Sequence, residues 1–174
     1  FWEVFKEKIF LPLQLNSTSF AATNPVPAEI VRGYVDFYGN MQLTDATHFS
    51  GWDYYTADGG LISTPYDLNV FLTALMNGQL LSPASMNEMF TTKWPLSPDA
   101  DFFSIAYGLG IFKIQTPWGD AWQHSGDAVG YYASMVYFPA RQTTIVWAVN
   151  GNYGKIDELV SGKKAMEKIF EAIF

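Results

Sequence analysis

The spacing of hydrophobic and polar positions changes close to residue 106. Before that point, apolar residues recur every three or four positions in short stretches that predict helices. After it, apolar and polar residues mostly alternate, which predicts strands separated by Pro- and Gly-containing turns. The pattern therefore predicts an α+β fold in which an antiparallel β-meander packs against helices, one of them at the C-terminus.

The predicted helices cover residues 1–9, before Pro12, and residues 65–77, 83–90 and 155–174. The second has the clearest start. The Thr64 hydroxyl can cap it, Pro65 suits its first position, and Asp67 meets the positive end of the helix dipole. We therefore interpret Asp67 as a residue of the helix start rather than a catalytic acid.

Four strands are expected, over residues 107–114, 121–125, 130–138 and 143–149. The last is a nearly continuous apolar run, which predicts burial on both faces in the middle of a sheet. Residues 16–55, in contrast, show little periodicity. An irregular segment of that length in a compact protein is usually functional or poorly ordered.

Composition and charge exclude several classes of function. The 174 residues are 49% hydrophobic and carry a net charge of −7, with no cluster of Lys or Arg, so nucleic-acid binding is disfavoured. There is no cysteine and no histidine pair at helical spacing, so disulfides are excluded and no metal site is expected. No apolar run reaches the roughly 20 residues that span a bilayer.

The stretch from Trp122 to Tyr132 carries the most chemical information. His124 and Ser125 end a predicted strand, and Gly126 and Gly130 would let the backbone approach a ligand closely. Taken alone, such a corner is more often structural than catalytic. The order of short motifs along the rest of the chain changes that balance.

These motifs are FKEKIFLPL at 5–13, ADGGLIST at 57–64, NGQLLSP at 77–83, YGLG at 107–110, HSG at 124–126 and YFP at 137–139. In this order they resemble the serine β-lactamase-related hydrolases, which include class C β-lactamases, D-alanyl-D-alanine carboxypeptidases, D-aminopeptidases and esterases. The resemblance implies a β-lactamase/transpeptidase-like fold, a small-molecule or peptide substrate cleaved through an acyl-enzyme, and no cofactor. It also implies a cell-envelope or secreted location.

The resemblance implies further residues that are absent from their expected place. The family nucleophile lies in a Ser-x-x-Lys motif and a second catalytic group in a Tyr-x-Asn motif, both before the region that residues 1–13 resemble. Ser161–Lys164 and Tyr38–Asn40 match these patterns elsewhere, and we interpret them as part of a helix and a turn. We therefore expect a C-terminal portion of one catalytic domain: helices and loops over 1–100, the sheet and last helix over 101–174, and a missing N-terminal half as partner.

The His124-Ser125-Gly126 strand resembles the family's Lys-Thr-Gly strand in a His-x-Gly variant. It would form one wall of the cleft, with Gly126 leaving room for substrate and the Asp127 backbone N–H serving as an oxyanion-hole donor. A lysine at position 124 would hold a substrate carboxylate, whereas an ordinary histidine is mostly neutral at pH 7. We expect weak β-lactam hydrolysis and a peptide or ester substrate.

Three points stay open in the sequence. Ser125 could donate a hydrogen bond to substrate or fix the strand end. Trp52, Tyr54, Gly130 and Tyr131 are predicted to contact substrate. The rings of Trp52 and Tyr54 could instead pack over the core. The whole chain could be an inactive fragment of a serine hydrolase, or a non-catalytic ligand-binding module or degenerate homologue.

Overall fold

A computed structural model describes residues 1–21, 28–49, 59–93 and 102–174. The fold is α+β, as the sequence predicts. The helices are α1 (Trp2–Phe5), α2 (Leu11–Leu13), α3 (Pro65–Met76), α4 (Pro83–Phe90), α5 (Asp157–Val160) and α6 (Lys163–Ile173). The strands are β1 (Ser19–Phe20), β2 (Tyr34–Val35), β3 (Thr44–Asp45), β4 (Leu61–Ile62), β5 (Ser104–Tyr107), β6 (Phe112–Thr116), β7 (Gly119–Ala128), β8 (Tyr131–Phe138), β9 (Thr143–Val149) and β10 (Gly151–Asn152).

The central sheet is an antiparallel meander in the order β5-β6-β7-β8-β9. Two small sheets accompany it: β1 pairs with β4, and β10 joins β2 and β3. Because β10 follows β9 after a single residue, the second small sheet attaches the irregular segment 31–45 to the end of the meander.

Helices cover both faces of the meander. Val136 and Phe138 of β8 point to one face, where they form the core with Met166 and Phe170 of α6. Side chains alternate along a strand, so Met135 and its neighbours of the same parity point to the other face. There α3 packs against β8 and β9, and the Thr73 hydroxyl lies 3.2 Å from that of Thr144.

Two predicted elements are divided in the structure, each at a glycine. The expected strand 107–114 is two strands, because residues 108–111 form a tight connection in which the Gly108 N–H donates to the Ile111 carbonyl and Gly110 has φ of +71°. The expected helix 155–174 is broken between α5 and α6. The N–H groups of Ser161 and Gly162 both donate to the Asp157 carbonyl, and Gly162 then starts α6.

Two other predictions also need correction. The first helix does not stop before Pro12. It includes a π-helical segment, Lys6–Phe10, continues through α2 and ends at Gln14, which has a left-handed conformation. Within the described residues, the apolar strand β9 is the last strand in the order of the five-stranded sheet, not an inner one. Its hydrophobic character follows instead from α3 on one face and α6 on the other.

Candidate active site

Strand β7 has one open edge over the half that carries the predicted site. Its first five residues pair with β6, ending at Gln123 opposite Phe112. From His124 to Ala128 the described pairing is with β8 alone. The His124-Ser125-Gly126 segment therefore presents backbone groups along an edge that another peptide-like chain could approach.

A cavity of about 490 Å³ follows this open edge. One wall is β7 from His124 to Ala128, with parts of β8. The opposite wall is the segment 59–64 and Leu68 at the start of α3. Among the predicted site residues that the structure describes, those lining the cavity are His124, Ser125, Gly126, Asp127 and Tyr131.

His124 is held by aromatic packing and one local hydrogen bond. Its ring lies 5.4 Å from the ring of Phe112 and 6.5 Å from that of Tyr107. Its Nδ1 lies 2.8 Å from the Ser125 carbonyl oxygen. Since His124 pairs directly with Met135, its side chain lies on the α3 side of the sheet, where the cavity has its second wall.

Ser125 lies on the opposite face, in a row of polar side chains. It faces Ser134 across the strand pair and hydrogen-bonds the hydroxyl of Tyr132, while the Gln123 Nε2 donates to the Ser134 hydroxyl at 3.4 Å. Burial raises the pKa of Tyr132 and the nearby Asp127 carboxylate adds to the rise, against hydrogen bonds to Ser134 and Ser125. This contact fits the interpretation of Ser125 as a residue that fixes the strand end.

Gly126 and Asp127 lie at the exposed end of β7. A Cβ added to Gly126 would meet no atom within 4 Å, so the space beside this residue is open. Desolvation raises the pKa of the Asp127 carboxyl, a hydrogen bond from Asn152 opposes this, and the charge of Asp157 adds to the rise. The surroundings of Asp127 therefore disfavour the ionised form of its carboxyl group.

Asn152 fixes the turn between β7 and β8, and sequence reasoning missed it. The residue is completely buried. Its Nδ2 donates to the carbonyls of Ala128 (2.8 Å) and Tyr131 (2.9 Å), and its Oδ1 accepts from the Gly130 N–H at 2.7 Å. The partners lie more than 20 residues away, so no local pattern could indicate this role; the one available signal was an Asn just after an apolar strand.

The structure places Gly130 and Tyr131 in contact with the segment around Gly33. Gly130 has φ of +85°, is buried, and would clash with Gly33 if it carried a Cβ. The Tyr131 hydroxyl donates to the Val31 carbonyl at 2.7 Å. Tyr131 lines the cavity, whereas the contacts of Gly130 favour a packing role over the predicted contact with substrate.

Asp67 has a structural role at the base of the opposite wall. Its N–H donates to the Thr64 hydroxyl at 3.2 Å, which is the predicted cap. Its buried carboxylate also accepts from the Ser17 N–H (2.9 Å) and the Thr18 hydroxyl (2.7 Å). Asp67 thus connects α3 to the segment before β1.

The two misplaced motif matches have ordinary structural partners. The hydroxyl of Ser161 donates to the Asp157 carbonyl between α5 and α6, on the sheet face opposite His124. Gly39 and Asn40 donate their N–H groups to Asp36 within a turn. Trp52 and Tyr54 lie outside the described residues, so their predicted contact with substrate stays a prediction.

Comparison with known proteins identifies the family. The sequence matches the Beta-lactamase family over residues 1–163. The chain belongs to this family. In the part of the chain that the structure describes, no group of His, Cys, Asp or Glu side chains could hold a metal ion, and no helix is long and apolar enough to cross a membrane.

Solved structures share the fold at low sequence identity. A D-stereospecific amidohydrolase from Streptomyces sp. is 24% identical with a TM-score of 0.75, covering 99% of this chain and 48% of its own. A penicillin-binding protein from Bacillus halodurans is 21% identical with a TM-score of 0.76, and the match covers 99% of this chain and 49% of that protein. A D-amino acid amidase from Ochrobactrum anthropi SV3 is 23% identical with a TM-score of 0.81, and the match covers 98% of this chain and 51% of that protein.

The chain thus spans about half the length of these structures. The family assignment rests on the match over residues 1–163, and the solved structures show the shared fold.

Proposed function

We propose that this chain supplies the strand wall and one oxyanion-hole donor of a serine hydrolase that cleaves an amide or ester through an acyl-enzyme. The observation that carries the proposal is the cavity along the unpaired edge of β7, at the His124-Ser125-Gly126 segment. Family membership over residues 1–163 supports the same chemistry. The β7 edge alone would give no covalent intermediate, because a nucleophile must attack the carbonyl.

The register of the hairpin supports Asp127 as the donor. Ala128 and Tyr131 face each other across a two-residue turn, and such a turn is closed by a hydrogen-bonded pair. N–H groups alternate in direction along an antiparallel strand, so we expect those of Ser125 and Asp127 to point away from β8, towards the open edge. An oxyanion that develops there would accept from Asp127, and losing such a donor typically slows catalysis by about 10²–10³-fold.

The nucleophile, its lysine and the tyrosine would come from sequence outside residues 1–174. Ser161 and Tyr38 match the motifs but lie in a helix junction and a turn. In the amidohydrolase and amidase structures, about half of each chain lies beyond the region matched here. We propose that this part, in a longer chain or a second one, carries the Ser-x-x-Lys and Tyr-x-Asn groups, and that residues 1–174 alone are inactive.

Covalent labelling by a fluorophosphonate tests the proposal. We expect the protein purified from the cells that encode it to be labelled on a serine outside residues 1–174, and the isolated 174-residue chain to stay unlabelled. A Ser161→Ala variant should label as the unchanged protein does. Labelling of Ser125 or Ser161, or complete absence of labelling from the native protein, would overturn the proposal and favour a non-catalytic binding module.

A further inference from the structure

The β7–β8 hairpin closes on a turn whose geometry does not suit a hairpin. Its two turn residues are Val129 and Gly130, and Gly130 has a positive φ of +85° whereas Val129 does not. This combination is that of a type II turn. Two-residue hairpins favour types I′ and II′ instead, because types I and II splay the flanking strands. The strand ends at this turn therefore need a partner outside the hairpin to hold them together.

Asn152 is such a partner. Its side chain is completely buried, and its Nδ2 donates to the carbonyls of Ala128 (2.8 Å) and Tyr131 (2.9 Å). These two residues are the cross-strand pair that flanks the turn, so a single amide bridges both strands. Its Oδ1 accepts from the Gly130 N–H at 2.7 Å, and its Nδ2 also lies 3.5 Å from the Asp127 Oδ1.

Asn152 is itself fixed from behind by β2. It lies opposite Val35 in the β10–β2 pair. The next residue of that segment, Asp36, accepts the Lys155 N–H at 3.1 Å, and Gly33, just before β2, packs directly against the turn. The clamp on the hairpin is therefore anchored in a second sheet and does not depend on the hairpin's own conformation.

The Asp127 N–H depends on this clamp because the edge it faces is open. The pairing of β6 with β7 ends at Gln123, and over residues 124–128 the described pairing is with β8 alone. The direction of the Asp127 N–H is then set by β8 and by the turn that starts two residues later. An oxyanion donor acts at about 2.7–3.1 Å, and a displacement of about 1 Å at a catalytic group can cost about 100-fold in rate. A splayed hairpin end would lose part of this alignment.

We propose that Asn152 is a positioning residue for acyl transfer, because its clamp on the β7–β8 turn directs the Asp127 N–H towards the oxyanion. The proposal rests on the proposed function, since it concerns the same donor. Asn152 acts through the turn and does not touch substrate. Loss of its side chain should therefore slow the chemical step and leave the affinity for substrate nearly unchanged.

Labelling kinetics of the native protein with a fluorophosphonate separate positioning from folding. The limiting rate constant at saturating reagent reports the chemical step, the reagent concentration at half of that rate reports affinity, and the final extent of labelling reports the folded fraction. We expect Asn152→Ala to lower the limiting rate constant by about 10- to 100-fold, with the half-saturating concentration unchanged within about twofold. Asn150→Ala, which removes an exposed amide that donates to the Arg32 carbonyl, should change neither.

Two further variants keep the test decisive if Asn152→Ala folds poorly. Asn152→Asp retains the side-chain volume and the acceptor for the Gly130 N–H but loses the Nδ2 donor, so it should also lower the limiting rate constant. Val129→Asn gives the turn the sequence Asn-Gly, which favours type I′ and matches the strand twist. Added to Asn152→Ala, it should recover at least about threefold of the lost rate, because the turn then holds the strands without the clamp.

A lower extent of labelling with an unchanged limiting rate constant, in Asn152→Ala or Asn152→Asp, would make Asn152 a structural residue alone and overturn the proposal. An equal loss of rate in Asn150→Ala would overturn it as well. If the unchanged native protein is not labelled at all, the proposed function itself fails, and the positioning role fails with it.

Discussion

Gly126 and Gly130, in the same hairpin, are constrained in different ways. Gly126 lies beside open space, and its backbone conformation does not demand a glycine. Gly130 has φ of +85° and packs so closely on Gly33 that an added Cβ would lie 2.9 Å from a backbone carbon. The fold therefore requires Gly130, whereas a glycine at position 126 keeps the cavity edge free.

Substitution separates these two constraints. Gly126→Val should change the free energy of unfolding by less than about 0.5 kcal/mol, as a surface substitution does, but slow fluorophosphonate labelling of the native protein because the side chain fills the open edge. Gly130→Ala should lower the free energy of unfolding by about 1–3 kcal/mol through strain and close contact. Urea denaturation and the rate of fluorophosphonate labelling measure the two effects. An unchanged labelling rate in a folded Gly126→Val variant would argue against substrate lying along β7.

Asp36 is a buried carboxylate whose partners are backbone groups. Burial alone would raise the pKa of Asp36, but hydrogen bonds from the N–H groups of Met41, Asn40, Lys155 and Gly39 outweigh it, and the pKa is lowered. Such a group stabilises the fold above the carboxyl pKa of the unfolded chain, about 3.9. That stabilisation is lost as the pH falls through the lower folded value.

Asp36→Asn should therefore destabilise the protein most at neutral pH. An asparagine keeps one acceptor oxygen but brings an NH₂ group towards N–H donors, and it carries no charge. The difference in unfolding free energy between the two proteins should narrow as the pH falls from about 5 to about 2. Urea denaturation across this range measures it. A difference that stays constant down to the lowest pH would show that ionised Asp36 does not supply the stabilisation.

Sequence reasoning located the residues of the strand but not the residues that hold them. The motif order indicated His124, Ser125, Gly126 and Asp127, and the structure brings these four to one cavity. Their roles in catalysis remain proposals. Asn152 was missed because its contacts join distant parts of the chain. The side-chain direction of Ser125 depended on the strand register, which the sequence pattern did not determine.

The β7–β8 turn is held mainly by one side chain. Asn152 makes three short hydrogen bonds to the turn while fully buried, whereas the nearby Asn150 is exposed and donates one, to the Arg32 carbonyl at 2.8 Å. Removing a buried partner leaves several backbone groups without a hydrogen bond, which is costly.

We expect Asn152→Ala to lower the free energy of unfolding by about 2–4 kcal/mol, and the matched Asn150→Ala to lower it by less than about 1 kcal/mol. Hydrogen exchange should also become faster at residues 128–131 in the first variant. Chemical denaturation and exchange of the two variants under the same conditions measure these effects. Equal losses in both would mean that the turn is held by its own conformation and not by Asn152.

At the level of elements, the sequence predicted where helices begin better than where a strand or helix is interrupted. Thr64 accepts the predicted capping hydrogen bond at the start of α3, and Ser82 accepts the equivalent one at the start of α4. Capping is a local property, so a few residues suffice to recognise it. The breaks at residues 108–111 and 161–162 fall within stretches whose apolar periodicity continues, so the periodicity alone predicted unbroken elements. The glycines in these stretches were the signal for the interruptions.

For the whole molecule, the fold class and family follow from the sequence, but the position of β9 does not. An apolar strand is compatible with any place where both faces are covered, and here α3 and α6 cover them at the end of the sheet. The pairing of β6 with β7 ends at Gln123, which leaves one edge of β7 open beside the cavity. The central claim is that this edge binds the reacting carbonyl.

The most direct test is a crystal structure of the fluorophosphonate adduct of the labelled native protein. The phosphonyl oxygen mimics the oxyanion of the acyl-transfer transition state, and oxyanion-hole donors lie about 2.7–3.1 Å from it. We predict this distance between the phosphonyl oxygen and the backbone nitrogen of Asp127, with the adduct lying along residues 124–128. An adduct whose oxygen is held elsewhere, with the Asp127 N–H directed to another group of the protein, would contradict the account.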